Sequence, residues 1–288
     1  MRLALGTVQF GLPYGISNKS GQVSRESAKR MLKLAIDHGI DTLDTAIAYG
    51  ESEKCLGEVG SKDFKLITKL PAVPDGCLDV GNWVQEQVNE SFSRLGVSTV
   101  YGLLLHRSSQ LLGKDGKALY QVLKTLKASG QVKKIGISIY SPDELETLTP
   151  YYDFDLVQAP FNIFDRRLSE SGWLQKLKDK DVEIHVRSVF LQGLLLMSRE
   201  DVPEKFAPWT ELFGKWHEWL SKNPVTAIQA CLVYPLSFSE IDRVVIGADS
   251  MNQLEQIINA ARTTMPCELP DLHCEDEKLI NPSHWEQL

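Results

Sequence analysis

Four titratable side chains follow short apolar runs along the chain: Asp44, Tyr49, Lys69 and His106. The first two lie in residues 41–57, DTLDTAIAYGESEKCLG, which reads as a short strand, a turn and a helix from residue 52. Lys69 ends the run FKLITKL, and His106 ends VYGLLLH. Proteins that alternate parallel strands with helices build their sites at the carboxyl ends of the strands. We therefore expect the four side chains to meet.

These four groups together suit the delivery of a proton to a carbonyl oxygen. A free phenol titrates near pH 10, so Tyr49 needs help as a general acid, and a neighbouring Lys69 ammonium would stabilise its phenolate form. Asp44 would keep that ammonium in place, and His106 would donate to the substrate oxygen. Seen singly, each residue also has a structural interpretation, such as a cap, a loop anchor or a core-edge histidine. Their shared position at strand ends favours the catalytic one.

Composition limits the classes of function. With 288 residues and 43% hydrophobic residues the chain can bury a large core, and its formal charge of -7 argues against a nucleic-acid partner. Because the sequence has no apolar run of about 20 residues and no secretory signal, we expect a cytoplasmic protein without a membrane partner. The five cysteines are scattered, which disfavours disulfides. Cys267, His273 and Cys274 are too few ligands for zinc, so no metal is expected.

A repeating pattern of apolar run, turn and amphipathic segment organises the whole chain. The predicted strands are residues 3–11, 41–45, 65–70, 100–106, 133–140, 154–162, 182–190 and 242–248. Eight such pairs predict an α/β fold, a single (β/α)8 TIM barrel over residues 1–288. An extra helix, 209–220, follows strand 7, and a tail, 266–288, which reads as irregular, is expected near the barrel mouth. A doubly wound sheet would favour G-x-G-x-x-G after strand 1, which LGTVQFG does not match.

Four motifs in this order, GTVQFG, DTLDTAIAYGESEKCLG, ITKL and LLLH, resemble the aldo-keto reductase family. The resemblance covers nearly the whole chain. It implies a catalytic tetrad of Asp44, Tyr49, Lys69 and His106, and a nicotinamide cofactor that lies extended across the barrel mouth. It predicts an NAD(P)H-dependent oxidoreductase that reduces a small aldehyde or ketone to an alcohol, with Tyr49 as the general acid.

The resemblance also implies cofactor contacts at strand ends and in the turns that follow them. These are Gly6, Thr7, Val8, Asp44, Ser138, Gln158, Arg187, Ser188, Phe190, Gln192, Gly193, Gly247, Ser250 and Gln253. Ile139 stands where the family usually has an asparagine for the carboxamide. Arg187 stands where many members stack a tyrosine on the nicotinamide, so either Arg187 as a flat cation or Phe190 is expected to pack there.

The phosphate end of the predicted site lacks the cations of the family. At the last strand and helix, where relatives carry lysine or arginine for an adenosine 2′-phosphate, this chain has Gly247, Asp249 and Gln253. Backbone N–H groups at the helix start can bind a phosphate, but Asp249 suits a free ribose hydroxyl better. NADPH is the expected cofactor and NADH the alternative, while Arg243, Arg262 or a tail residue could supply a cation.

Two other functions stay open at this point. The same barrel could sense its cofactor and regulate a partner with little turnover, or Lys69 could form a Schiff base as in an aldolase. The substrate pocket is expected from loop 71–81, insertion 191–222 and the tail. The sequence does not indicate the oligomeric state.

Overall fold

Eight parallel strands close into one barrel in chain order, in the part of the chain that the computed structural model describes, residues 1–18, 20–264 and 268–288. The strands are β1 Leu3–Gly6, β2 Thr42–Asp44, β3 Lys65–Leu70, β4 Val100–Leu105, β5 Val132–Ser138, β6 Leu156–Pro160, β7 Glu183–Arg187 and β8 Arg243–Ile246. Strand β8 closes the barrel by pairing Val245 with Ala4 of β1. The predicted (β/α)8 fold is confirmed.

Helices follow the strands and cover the barrel. They are α1 Val8–Gly11, α2 Arg25–Asp37, α3 Ser52–Val59, α4 Val80–Leu95, α5 Gly116–Ala128, α6 Asp143–Leu148, α7 Arg167–Glu170, α8 Trp173–Asp179, α9 Thr210–Lys222, α10 Ala227–Leu236, α11 Met251–Ala260 and α12 Glu277–Ile280. The sequence signals act as expected at several ends: the Ser24 side chain caps α2 by accepting from the Ser27 amide, and α4 stops at Gly96 in the left-handed conformation.

The barrel interior is narrow. Ile67, Leu104 and Leu156 pack there as an apolar cluster apart from the main core between strands and helices. A Cβ at Gly136 would lie 1.9 Å from the Leu156 carbonyl oxygen, so only glycine fits at this approach of β5 and β6. Side chains alternate across a strand, and every second residue therefore points into this interior. Above the apolar layer, the last inward positions of the strands are free to carry polar groups.

The predicted first strand is too long. It ends at Gly6, and α1 follows as a helical turn instead of continuing the strand to residue 11. A Cβ at Gly11 would meet the Tyr49 carbonyl oxygen at 1.8 Å, because this turn packs directly against the turn that carries Tyr49. Strand 7 is also shorter than predicted: it stops at Arg187, and Ser188 leaves the extended conformation with φ 61°.

The extra helix after strand 7 is confirmed as α9, and the tail lies near the mouth as expected, packed on the loop after β6. Its amide at Cys274 donates to Phe164, and Glu277 pairs with Arg167. The expectation of an irregular tail is wrong, because α12 and a 3-10 helix, Pro282–Gln287, bury Leu279 and Trp285. The tail is described from residue 268 onward, so Cys267 lies outside the described residues. None of the helices described is long and apolar enough to cross a membrane.

Candidate active site

The tetrad assembles around the Asp44 carboxylate, which the end of β2 presents to the barrel interior. Its Oδ1 accepts from Lys69 Nζ at 2.6 Å, and its Oδ2 accepts from Gln158 Nε2 at 2.7 Å. Lys69 lies on the neighbouring strand β3, but Gln158 lies on β6, across the barrel. All three side chains are buried. Closure of the barrel therefore brings together residues that are far apart in sequence.

Lys69 is held as a buried ammonium. Its Nζ also donates to the Thr45 carbonyl at 2.9 Å, and 1% of its side chain is exposed. Burial by itself lowers the pKa of Lys69, but the Asp44 carboxylate and Tyr49 together raise it more, so the net pKa lies above its usual value. A Schiff base requires a neutral amine. The environment of Lys69 therefore disfavours the aldolase interpretation.

Tyr49 sits on a turn fixed by hydroxyl groups. Ser52, which begins α3, donates to the Thr7 carbonyl at 2.8 Å and lies 3.0 Å from the Thr45 hydroxyl. The turn closes with the Ser52 amide donating to the Tyr49 carbonyl at 3.0 Å. Lys69 Nζ lies 5.1 Å from the centroid of the Tyr49 ring. The phenol is thus placed next to the buried ammonium, as the sequence predicted.

His106 stands against the same ring. The two ring centroids lie 5.8 Å apart, edge to face. Burial, and then the charges of Lys69 and Arg187, lower the pKa of His106 to about 4. The imidazole is consequently neutral at neutral pH and can donate one N–H to an oxygen without adding a charge.

A cavity of about 320 Å³ opens above these groups at the barrel mouth. Its lining comprises Gly6, Thr7, Val8, Gln9, Tyr14, Gly15, Ser17, Asp44, Tyr49, His106, Ser138, Tyr140, Gln158, Arg187, Ser188, Val189, Phe190, Gln192, Gly193, Leu196, Val245, Gly247, Asp249 and Gln253. Of the residues predicted from sequence, Lys69 lies behind Asp44, and Ser250 is engaged as the cap of α11. The structure brings the other predicted residues to the cavity wall.

One end of the cavity offers partners for an amide. The Oε1 of Gln158 is buried without a hydrogen-bond partner among the described residues, while its Nε2 is held by Asp44. Ser138 lies beside it in the ladder, paired in register with Gln158. Ile139, the departure from the family pattern, is fully buried and joins the apolar core. Gln158 therefore keeps an acceptor that a carboxamide N–H could use.

The other end of the cavity is formed around the start of α11. Ser250 caps this helix by accepting from the Gln253 amide, and Gln253 Oε1 accepts from the Asp249 amide at 2.6 Å. Burial raises the pKa of Asp249. Gln9 fills the space over Gly247, where an added Cβ would lie 2.7 Å from the Gln9 Nε2. The Gln9 Oε1 is a further buried acceptor that has no hydrogen-bond partner in the described chain.

Two arginines that the sequence left as phosphate ligands lie elsewhere. Arg243 is the first residue of β8, at the amino end of the strand, and contacts Asp41 there at 3.1 Å. Arg262 follows the last turn of α11, whereas Ser250 starts that helix at the mouth. Because helices of this fold run antiparallel to the strands, both arginines lie at the end of the barrel opposite the cavity.

Sequence reasoning missed several residues of the cavity wall, among them Gln9, Tyr14 and Tyr140. The signal was present for each, since Gln9 lies inside GTVQFG, Tyr14 in the loop after it, and Tyr140 just beyond Ser138 at a strand end. Among the described residues, loop 71–81 and the tail contribute no lining residue, which corrects the expected substrate pocket. The insertion contributes through Gln192, Gly193 and Leu196.

The described part of the chain has no cluster of three or more His, Cys, Asp or Glu residues that could hold a metal ion. Cys267, which the sequence weighed as a zinc ligand with His273 and Cys274, is not among those residues. Within the described tail, His273 instead contacts Glu170 at 2.9 Å.

The chain folds as a TIM barrel with a polar cavity at its mouth. The model of the Aldo/keto reductase family matches residues 2–268, and the chain belongs to this family, whose members act on carbonyls and aldoses with NAD(P)H. The family predicted from the motifs is thereby confirmed.

Relatives and solved structures agree with this assignment. Aldo-keto reductase YhdN of Bacillus subtilis is 27% identical over 67% of this chain, a match that spans 60% of that protein. The NADH-specific methylglyoxal reductase of Escherichia coli is 24% identical over 90% of this chain and 89% of its own. Aldo-keto reductase AKR11C1 of Bacillus halodurans in its holo form superposes with a TM-score of 0.72 at 21% identity, covering 94% of this chain and 89% of that one.

Proposed function

We propose that this protein reduces a small aldehyde or ketone to an alcohol with a reduced nicotinamide cofactor, and that Tyr49 is the general acid. The observation that supports this best is the buried Asp44–Lys69 pair, which places a fixed ammonium beside the Tyr49 phenol at the base of a cavity. An ion pair that is buried at a cavity base, rather than on the surface, is typical of a functional site.

Each member of the tetrad has a separate task. Tyr49 gives its proton to the carbonyl oxygen, and the Lys69 ammonium stabilises the phenolate that remains. Asp44 keeps Lys69 charged and oriented through the 2.6 Å contact. His106, neutral because its pKa is about 4, donates an N–H to the same oxygen and stabilises its developing charge.

The residues of the cavity fit a nicotinamide cofactor. Gln158 Oε1 and Ser138 would accept and donate at the carboxamide, and the backbone N–H groups at the start of α11, a helix of 10 residues, would hold a phosphate. A bound reduced nicotinamide would supply the hydride. Arg187 or Phe190 would pack on its ring from the β7 side, as the sequence proposed.

The adenosine end suits NADH as well as NADPH, the cofactor expected from the family. Among the described residues, the side chains there are Gln9, Asp249 and Gln253, which offer acceptors to ribose hydroxyl groups but no cation for a 2′-phosphate. The E. coli relative is described as NADH-specific. We infer that this protein discriminates weakly between NADH and NADPH, or in favour of NADH.

The free cysteines Cys55 and Cys231 are both buried, which fits the cytoplasmic location that we propose.

A titration with each cofactor followed by a carbonyl panel tests the proposal. Protein fluorescence should be quenched by NADH and NADPH, and oxidation of the cofactor should then depend on an added aldehyde, ketone or sugar. Lys69→Met is the matched variant, because it removes the ammonium and should abolish turnover of every carbonyl. Binding of cofactor without turnover of any carbonyl would instead support the cofactor-sensing regulatory alternative.

A further inference from the structure

Arg187 places a positive charge over the reacting end of the cavity. It ends β7, and its side chain crosses the end of β6 to reach β5, where Nη2 donates to the Ile139 carbonyl at 2.9 Å. Arg187 and His106 both line the cavity, and the charge of Arg187 lowers the pKa of His106. The start of α11, where we propose that a cofactor phosphate binds, contributes Asp249 and Gln253 to the same lining.

Arg187 has only neutral partners among the described residues. Besides Ile139, these are the Ser188 hydroxyl, 3.2 Å from Nη1, and the Tyr140 ring, whose centroid lies 4.7 Å from Cζ. Three other partly buried arginines, Arg94, Arg167 and Arg243, each contact a carboxylate within 3.1 Å. Arg2 and Arg166 instead donate to backbone carbonyls and, among the described residues, contact no carboxylate. Of the lysines and arginines in the described chain, Arg187 alone lines the cavity. Of the two carboxylates in the lining, Asp44 is paired with Lys69, and Asp249 lies next to the start of α11.

A guanidinium has five N–H donors, of which the two contacts use two. A planar fork of donors matches an anionic oxygen group. What sets Arg187 apart from Arg2 and Arg166 is its place in the cavity wall, where a ligand can reach it. Tyr140 covers one face of the guanidinium, which leaves its N–H edges to meet a ligand inside the cavity.

We propose that the substrate is an aldehyde or ketone that carries an anionic oxygen group, a carboxylate or a phosphate, and that Arg187 binds this group while the carbonyl meets Tyr49 and His106. This inference rests on the proposed carbonyl reduction and adds the charge of the substrate to it. The anionic group is bound in the ground state and the transition state alike, so its contribution appears in KM more than in kcat.

Matched substrate pairs test the proposal. Succinic semialdehyde is compared with butanal for the carboxylate, and glyceraldehyde 3-phosphate with glyceraldehyde for the phosphate. In one of the two pairs, the anionic substrate should have a kcat/KM about 10- to 100-fold higher than its neutral counterpart, the factor that one charge-assisted hydrogen bond supplies. The pair that shows this difference identifies the anionic group as a carboxylate or a phosphate. Added salt should reduce the advantage.

Variants of Arg187 assign the effect. Arg187→Gln should raise KM for the anionic substrate by about the same factor relative to KM for the neutral one, while Arg187→Lys should restore part of the difference. Arg107→Gln is the control, since this exposed arginine lies next to His106 in sequence but outside the cavity lining. Equal effects of Arg187→Gln on charged and neutral substrates, together with weaker NADH binding, would overturn the proposal and assign Arg187 to the cofactor.

Failure of the carbonyl reduction itself is distinguishable. If the native protein turns over no carbonyl, calorimetry of the cofactor-loaded protein with butyrate and with butanol still tests the charge. Binding of butyrate that Arg187→Gln removes would support the anion site, and equal binding of the two would overturn it. If Arg187→Gln does not fold, the salt dependence and the substrate preference of the native protein decide in the same way.

Discussion

Strand β7 carries three inward polar residues at a spacing of two, and its two ends use them differently. At the amino end, Glu183 accepts from Lys134 at 2.6 Å and from Tyr101 at 2.7 Å, and lies 2.7 Å from the ring nitrogen of His185. At the carboxyl end, Arg187 meets a carbonyl, a hydroxyl and a ring, and faces a cavity. Alternation of side chains along β7 therefore places an ion-paired carboxylate at one end of the strand and a cation without a carboxylate partner at the other.

The difference shows how a barrel separates stability from function. A carboxylate surrounded by donors stabilises the folded state, because its removal leaves those donors without hydrogen-bond partners. A cation at the cavity wall without a carboxylate beside it keeps N–H donors for a ligand. The tetrad combines both arrangements, since Asp44 and Lys69 are paired while Tyr49 and His106 face the cavity.

The largest effect is expected at the cavity. Tyr49→Phe should lower turnover of a carbonyl by about 2 to 4 powers of ten, which is what a positioned general acid contributes, and change the dissociation constant of the cofactor only a few-fold. Steady-state kinetics and a fluorescence titration measure the two quantities. Near-normal turnover on a substrate whose chemical step limits the rate would show that Tyr49 is not the acid.

A substitution at the amino end of β7 should change stability instead of activity. Glu183→Gln should lower the free energy of unfolding by about 1.5 to 3 kcal/mol, the range for hydrogen bonds to a charged group, with kcat/KM unchanged. Hydrogen bonds from His185, Lys134 and Tyr101 outweigh burial and lower the pKa of Glu183. Its stabilisation is therefore present above the ordinary carboxyl pKa and is lost as pH falls below it.

Urea unfolding at several pH values measures the effect of Glu183→Gln. The control is Glu146→Gln, which breaks an exposed pair with Lys176 and should leave the urea midpoint nearly unchanged. A loss of activity at unchanged stability in Glu183→Gln would contradict the division between the two ends.

The cofactor end offers a smaller test. Gln253→Arg should strengthen NADPH binding by about 10- to 100-fold, because it supplies one charge-assisted contact to a 2′-phosphate, and should barely change NADH binding. Dissociation constants for both cofactors check this. A strong native preference for NADPH that the substitution leaves unaltered would mean that a cation from another part of the chain already binds that phosphate.

The smallest effect concerns pH. Because His106 has a folded pKa of about 4, kcat/KM should show no loss attributable to it between pH 7.5 and about 5.5, where an ordinary histidine charges. The unfolded chain binds that proton near the ordinary histidine pKa, so native stability should fall as pH drops from about 6.5 toward 4. His106→Asn should remove this slope. A limb in the rate profile near pH 6.5 that disappears in His106→Asn would contradict the neutral role.

Much of the site could be predicted from local pattern. Periodicity and capping residues define the strands and helices, and a residue at the end of a strand needs no tertiary information to be placed at the mouth. For this reason Asp44, Tyr49 and His106 were predictable as neighbours. The motif around residues 41–57 also indicated the family, which the match over residues 2–268 confirms.

The sequence by itself determined the barrel and the meeting of Asp44, Lys69 and His106 at its mouth, because chain order and strand alternation place residues at strand ends. Tyr49 depends in addition on the turn after β2. The tertiary structure alone decided the end of β1 at Gly6, the helical order of the tail and the hydrogen bond from Gln158 to Asp44 across the barrel. It also decided that Arg187 lies over the cavity without a carboxylate. Each depends on contacts between segments distant in the chain, and a local pattern carries no information about which of those segments meet.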